Sequence, residues 1–103
     1  MRNAVGPILR LDGDVEAIVS AIEDDNPDTE IEVTDEGAYV RVMGDHRLRV
    51  TLDSLRRYLG SDFEMRQLEE MMPAFAGRID TRSDEIIWEY RLDLEAVPAE
   101  AGN

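Results

Sequence analysis

Cysteine and lysine are both missing from this 103-residue chain, and histidine occurs only once. Without cysteine the chain can form no disulfide, no thiolate nucleophile and no zinc site built on thiolates. The single histidine, His46, cannot supply a metal site that needs several imidazoles, and its neighbours Asp45 and Arg47 favour an exposed turn residue. We therefore expect no bound metal and no cofactor.

The usual sequence signs of catalysis are also missing. The chain has neither a glycine-rich phosphate loop nor a dinucleotide-binding fingerprint, and its serines lack the setting of a nucleophile elbow. Acid pairs such as Asp24-Asp25 have no second ligand type at a supporting spacing, and Asp12-Gly13-Asp14 is too short for a calcium loop. We predict that the chain is not an enzyme on its own.

Long apolar runs are absent, so the sequence predicts no transmembrane helix, and its start shows no signal-peptide pattern. The length suits a single domain, and the simplest location is the cytoplasm. A formal net charge of -13 disfavours nucleic acid and anionic membrane as partners, because both would repel the chain.

The charge is unevenly distributed along the sequence. Residues 11–40 contain eleven acids and no basic residue, whereas residues 41–57 carry five arginines against two aspartates. This asymmetry fits either ordinary solvated faces or electrostatic steering onto a partner protein.

A β-hairpin is the most clearly specified local structure. Ile31 and Val33 alternate with polar residues, and a turn at residues 35–37 precedes Ala38, Val40 and Val42, which also alternate. The intervening Tyr39 and Arg41 must lie on the other face of their strand. That face is either an interface, for which a Tyr-Arg pair is a typical anchor, or it is covered by the N-terminal segment.

The sequence on either side of this hairpin predicts a strand and a helix before it and a further strand after it. Residues 5–11 read as an edge strand, or as one that begins after Pro7, because proline cannot donate a ladder hydrogen bond. A helix should run from about Val15 to Asp25 or Asn26, with the acids 23–25 at the end where the helix dipole disfavours them. A turn at residues 44–45 precedes a third strand over residues 46–50.

The C-terminal half of the sequence predicts two helices followed by two strands. The first helix covers residues 52–59 and is capped by Thr51, and the second covers residues 61–72. The strands cover residues 75–79 and 85–92. The order is β-α-β-β-β-α-α-β-β, which predicts an α+β fold with about three helices on one face of a mostly antiparallel sheet. We expect one domain over residues 1–95 and a disordered tail over residues 96–103.

Several segments, taken in order, resemble the small effector (coupling) proteins of bacterial multicomponent di-iron monooxygenases. The likeness is strongest to the toluene-4-monooxygenase, alkene and isoprene monooxygenase branch and covers roughly residues 3–92. It rests on residues 5–10, 25–27, 30–31, 38–42, 55–60, 63–65 and 75–79. The stretch after Met43 is shorter and more basic than is usual in the family, and the tail looks like an extension.

The resemblance implies a non-catalytic regulatory protein without a cofactor. Such an effector docks on the di-iron hydroxylase and couples oxygen activation to hydrocarbon hydroxylation or epoxidation, while a ferredoxin and a reductase supply electrons. The predicted contact residues are Asn26, Pro27, Tyr39 and Arg41, with Gly6, Pro7, Gly77 and Arg78 as secondary candidates. The alternative is a stand-alone small-ligand sensor or acidic adaptor, and a sensor should have a pocket between helices and sheet.

Overall fold

A computed structural model describes residues 3–90. Its elements are β1 Ala4–Arg10, α1 Val15–Asp25, β2 Ile31–Asp35, β3 Tyr39–Asp45, β4 Arg47–Thr51, α2 Leu52–Leu59, α3 Met65–Met71, β5 Ala74–Ala76, β6 Arg78–Thr81 and β7 Glu85–Glu89. This order confirms the predicted α+β class, with the predicted strand at 75–79 divided into β5 and β6. Leu92 and the predicted tail at residues 96–103 lie outside the described residues.

The larger sheet is antiparallel, has the order β2-β3-β1-β5 and contains the predicted hairpin. Val33 pairs with Val42, and Asp35 pairs with Val40. In the turn, Gly37 has a φ of 91°, which favours glycine. Its N–H donates to Asp35 Oδ1 at 2.9 Å. The hairpin therefore forms as its turn chemistry predicts.

A second antiparallel sheet, of order β4-β7-β6, replaces the single sheet that we expected. The chain passes directly between the sheets at two joints, each a single residue with positive φ: His46 at 72° and Gly77 at 94°. It returns from β4 to β5 through α2 and α3. The turn predicted at residues 44–45 is thus wrong by one or two residues, since Gly44 and Asp45 still belong to β3. The sequence pattern could not show that these short strands belong to different sheets.

Pro7 lies inside β1, and β1 lies between β3 and β5, so the edge-strand prediction was wrong. The strand tolerates proline because regular β1–β3 pairing is interrupted between Val5 and Ile8. Within this interruption Gly6 approaches Val42 so closely that a Cβ on Gly6 would collide with the Val42 carbonyl oxygen. Glycine is required at that position by the close approach of two backbones.

All three helices and both sheets contribute to one hydrophobic core. α1 packs chiefly against α2 and β4, which places it over the second sheet more than over the hairpin. Thr51 caps α2 as predicted, since its Oγ1 accepts a hydrogen bond from the Ser54 N–H. α3 begins at Met65, later than predicted, because a Glu64–Gln67 capping box fixes its start.

Candidate docking surfaces

Tyr39 and Arg41 lie on the outer face of the larger sheet. Along β3 they alternate with Val40 and Val42, which are buried in the core. Tyr39 is 43% exposed and Arg41 is partly exposed. The predicted alternation is therefore present from Tyr39 to Val42, whereas Ala38 lies outside β3 and is exposed.

Pairing with β1 extends this outer face. Arg10 pairs with Tyr39, and Ile8 pairs with Arg41; directly opposed residues in antiparallel strands share a face. Over residues 4–10 the N-terminal segment thus lies beside β3 in the same sheet and does not cover it. We call Ile8, Arg10, Tyr39 and Arg41 the outer sheet face.

The outer sheet face has the chemistry of a protein interface. It combines an exposed aromatic ring with two arginines, the residue types enriched at interface hot spots. Arg41 Nε is 3.8 Å from Glu36 Oε2, with both side chains substantially exposed. An exposed pair at this distance contributes little stability, so little free energy holds Arg41 to Glu36.

Asn26 is only 8% exposed, so its side chain cannot present the contact predicted for it. Its Nδ2 donates to the carbonyl oxygens of Ile22 at 2.6 Å and Arg49 at 2.7 Å, and its Oδ1 accepts from the Arg49 N–H at 3.1 Å. The amide therefore fastens the end of α1 to β4. Pro27, the next residue, is exposed.

Two of the acids at the end of α1, which conflict with its helix dipole, are hydrogen-bonded to α2 and its cap: Asp24 and Asp25. Asp25 accepts from the Thr51 N–H at 2.7 Å, the Thr51 hydroxyl at 3.0 Å and the Ser54 hydroxyl at 2.7 Å. This places its charge at the N-terminus of α2, where a helix dipole favours an anion. Asp24 accepts from the Tyr58 hydroxyl at 2.6 Å, and this hydrogen bond raises the pKa of the Tyr58 phenol.

The secondary candidates lie together at another part of the sheet. Gly6 pairs with Ala76, so Gly6 and Pro7 lie next to the Gly77–Arg78 corner. Gly6 and Pro7 are buried, whereas Gly77 and Arg78 are exposed. A Cβ on Gly77 would approach Val5 Cγ1 within 2.7 Å, so glycine is needed there for packing as well as for its positive φ.

An apolar groove, which the sequence did not reveal, lies between α1 and the β2–β3 hairpin. It has a volume of about 410 Å³ and is lined by Leu11, Val15, Glu16, Val19, Ser20, Val33, Asp35 and Val40. Leu11 is 48% exposed and Val33 is 47% exposed, so the groove, which lies between a helix and the sheet where a small-ligand sensor should have its pocket, is open to solvent. We call it the α1–hairpin groove.

Within residues 3–90 there is no group of three or more histidine, cysteine, aspartate or glutamate side chains that could hold a metal ion. Over the same residues, no helix is both long enough and apolar enough to cross a membrane.

Comparison with known proteins identifies relatives along nearly the whole described chain. Residues 3–89 match the MmoB/DmpM family. An alkene monooxygenase system effector subunit from Xanthobacter autotrophicus is 35% identical over 89 residues, which cover 86% of this chain and 88% of that protein.

Two solved structures, both described as a phenol hydroxylase–regulatory protein complex, contain a chain with the same fold. The first aligns with a TM-score of 0.73 at 24% identity, covering 85% of this chain and 99% of that one. The second aligns with a TM-score of 0.69 at 23% identity, covering 84% and 99%. At these identities the structural likeness supports the fold alone.

Proposed function

The chain belongs to the MmoB/DmpM family, and we propose that it is the non-catalytic effector subunit of a multicomponent monooxygenase. In this role it binds the di-iron hydroxylase and couples oxygen activation to hydrocarbon hydroxylation or epoxidation. The observation that carries the proposal is the 35% identity to an effector subunit over 86% of this chain. Matches to chains from hydroxylase–regulatory protein complexes are consistent with a hydroxylase as the partner.

The mechanism that we propose is linkage between two conformations of the hydroxylase. An effector that binds one conformation more tightly shifts the population toward it by the difference in binding free energy. No catalytic group is needed on the effector for this effect. A ferredoxin and a reductase would deliver the electrons, and the cytoplasm is the compartment that we propose for the assembly.

The outer sheet face is the docking surface that we propose. Tyr39 and Arg41 are its anchors, and a specific complex of this kind typically buries about 1,600 Å² in total. Pro27, Gly77 and Arg78 are exposed and remain candidates for its periphery. Asn26, Gly6 and Pro7 are buried, so we assign them an indirect role in which they hold the surrounding backbone in place.

Replacing Arg41 with glutamate tests this function and this surface together. With the hydroxylase, ferredoxin and reductase of the source organism, the wild-type chain should raise the product formed per electron consumed. Arg41→Glu should need roughly tenfold or more protein for the same stimulation, because it reverses an anchor charge. Its free energy of unfolding should stay within about 0.5 kcal/mol of wild type, as for most surface substitutions.

Arg66→Glu is the matched control, since Arg66 is exposed on α3 and outside the outer sheet face. It makes the same change in net charge and should leave stimulation unchanged. If Arg41→Glu stimulates as well as wild type, Arg41 is not an anchor. If the wild-type chain itself does not change product per electron, the proposed function is wrong.

A further inference from the structure

We propose that the α1–hairpin groove is a second contact site for the hydroxylase, separate from the outer sheet face. It would receive an apolar side chain from a hydroxylase segment that also carries arginine or lysine. This inference rests on the proposed function.

The apolar part of the groove follows from how α1 packs. α1 lies chiefly against α2 and β4, so it covers the hairpin incompletely. Val15 and Val40 are buried at the base of the groove, whereas Leu11 and Val33 remain about half exposed. A partner side chain placed between Leu11 and Val33 would remove both from water, which favours association.

The acidic part of the groove comes from both of its walls. Glu16 on α1 and Asp35 on β2 line it, and no arginine is among its lining residues. None of the ion pairs within residues 3–90 involves Glu16. Arg10 and Arg41 are adjacent in sequence to the groove residues Leu11 and Val40, but they belong to the opposite face of the sheet. The groove thus combines exposed apolar surface with uncompensated negative charge.

This combination selects among the possible occupants. A second copy of this chain would bring the same acids together across a two-fold axis, and like charges would oppose that contact. A small hydrocarbon would use the apolar surface but neither carboxylate. A segment with an apolar side chain beside arginine or lysine uses both, because the long stems of basic residues also cover apolar surface.

The test is the affinity of the full-length chain for the purified hydroxylase, measured by titration calorimetry. The variant Leu11→Ser/Val33→Ser should raise the Kd about tenfold or more. Because Val33→Ile keeps an apolar side chain on the same strand, its Kd should stay within about twofold of wild type. Urea denaturation of each variant checks that the fold is retained.

The carboxylate contribution is measured separately through salt. Titrations at about 10 mM and about 150 mM ionic strength should show weaker binding at the higher value, because salt screens exposed charge pairs. Glu16→Gln should reduce this salt dependence. Glu70→Gln is the matched control, since Glu70 is exposed on α3 and does not line the groove. It should behave as wild type.

Each outcome decides the proposal. If Leu11→Ser/Val33→Ser and Glu16→Gln bind like wild type while Arg41→Glu binds weakly, the hydroxylase docks without the groove and the inference is wrong, although the proposed function stands. Self-association in sedimentation that the groove variants abolish would assign the groove to a second copy. Shifts of the Leu11 and Val33 NMR signals with benzene alone would assign it to a small ligand. If the wild-type chain does not bind the hydroxylase, both proposals fail.

Discussion

The two ends of α1 are both acidic, yet their acids do different things. At the C-terminal end, Asp24, Asp25 and Asn26 are bonded to β4 and α2. Near the N-terminal end, Glu16 faces the open α1–hairpin groove. Acidic residues at the C-terminal end of α1 therefore stabilise its contact with α2, whereas the acidic residue near its N-terminal end contributes negative charge to an open groove. Net charge alone could not distinguish these two uses.

The largest effect that this comparison predicts is at Asn26. Asn26→Ala should lower the free energy of unfolding by about 3 kcal/mol, because it leaves buried backbone groups of Ile22 and Arg49 without partners. Urea denaturation measures the change. Asp28→Ala, two residues later at an exposed position, should change it by no more than about 0.5 kcal/mol. Equal losses in both variants would contradict a special role for Asn26.

A smaller effect is expected at Asp25. Asp25→Asn keeps the shape of the side chain but removes the negative charge that faces the start of α2 and weakens the bonds from Thr51 and Ser54. The free energy of unfolding should fall by about 1.5 kcal/mol. Glu23→Gln removes a charge from the exposed side of the same helix end and should be nearly neutral. If the two variants are equally stable, the helix junction does not depend on Asp25.

The smallest effect concerns the titration of Tyr58. Its neutral phenol donates to Asp24, so its pKa is raised in the folded state. The associated stabilisation is present below the ordinary pKa of tyrosine and is lost as the pH rises through the raised value. Near-ultraviolet absorbance follows this titration. The signal of Tyr58 is the difference between the wild-type chain and the variant Tyr58→Phe.

Asp24→Ala should return the Tyr58 titration to lower pH, because the carboxylate that accepts from the phenol is gone. Asp28→Ala removes an acid outside this contact and should leave the titration where it is. A Tyr58 titration that is the same in wild type and Asp24→Ala would show that the hydrogen bond does not persist in solution.

Elements fixed by neighbouring residues were predictable from the sequence. The helix predicted from Val15 is α1, with Val15, Ile18 and Ile22 buried. The hairpin turn predicted at residues 35–37 lies at residues 36–38, one position later. Thr51 was correctly identified as a helix cap. Each of these features depends on contacts within a few positions along the chain.

Features that depend on distant residues were not predictable. The side-chain amide of Asn26 bonds to the backbone of Arg49, which is 23 positions away. The residues next to Asn26 in sequence predict only that it is exposed at the end of a helix. Pro7 reads as an edge residue because nothing nearby shows that β5 will pair on the other side. The α1–hairpin groove exists because α1 packs mainly against α2 and β4 and leaves part of the hairpin uncovered. Side-chain periodicity shows which face of α1 is buried, but it does not show which elements that face packs against.

Two of the crossings between the sheets consist of a single residue each. Only His46 separates β3 from β4, and only Gly77 separates β5 from β6. The His46 backbone is held on both sides, since its N–H donates to the Asn3 carbonyl and its carbonyl accepts from the Tyr90 N–H. A single residue spans at most about 3.6 Å, so the two sheets cannot separate at either joint without unpairing strand residues. Any partner that binds the outer sheet face would therefore also fix the orientation of the second sheet.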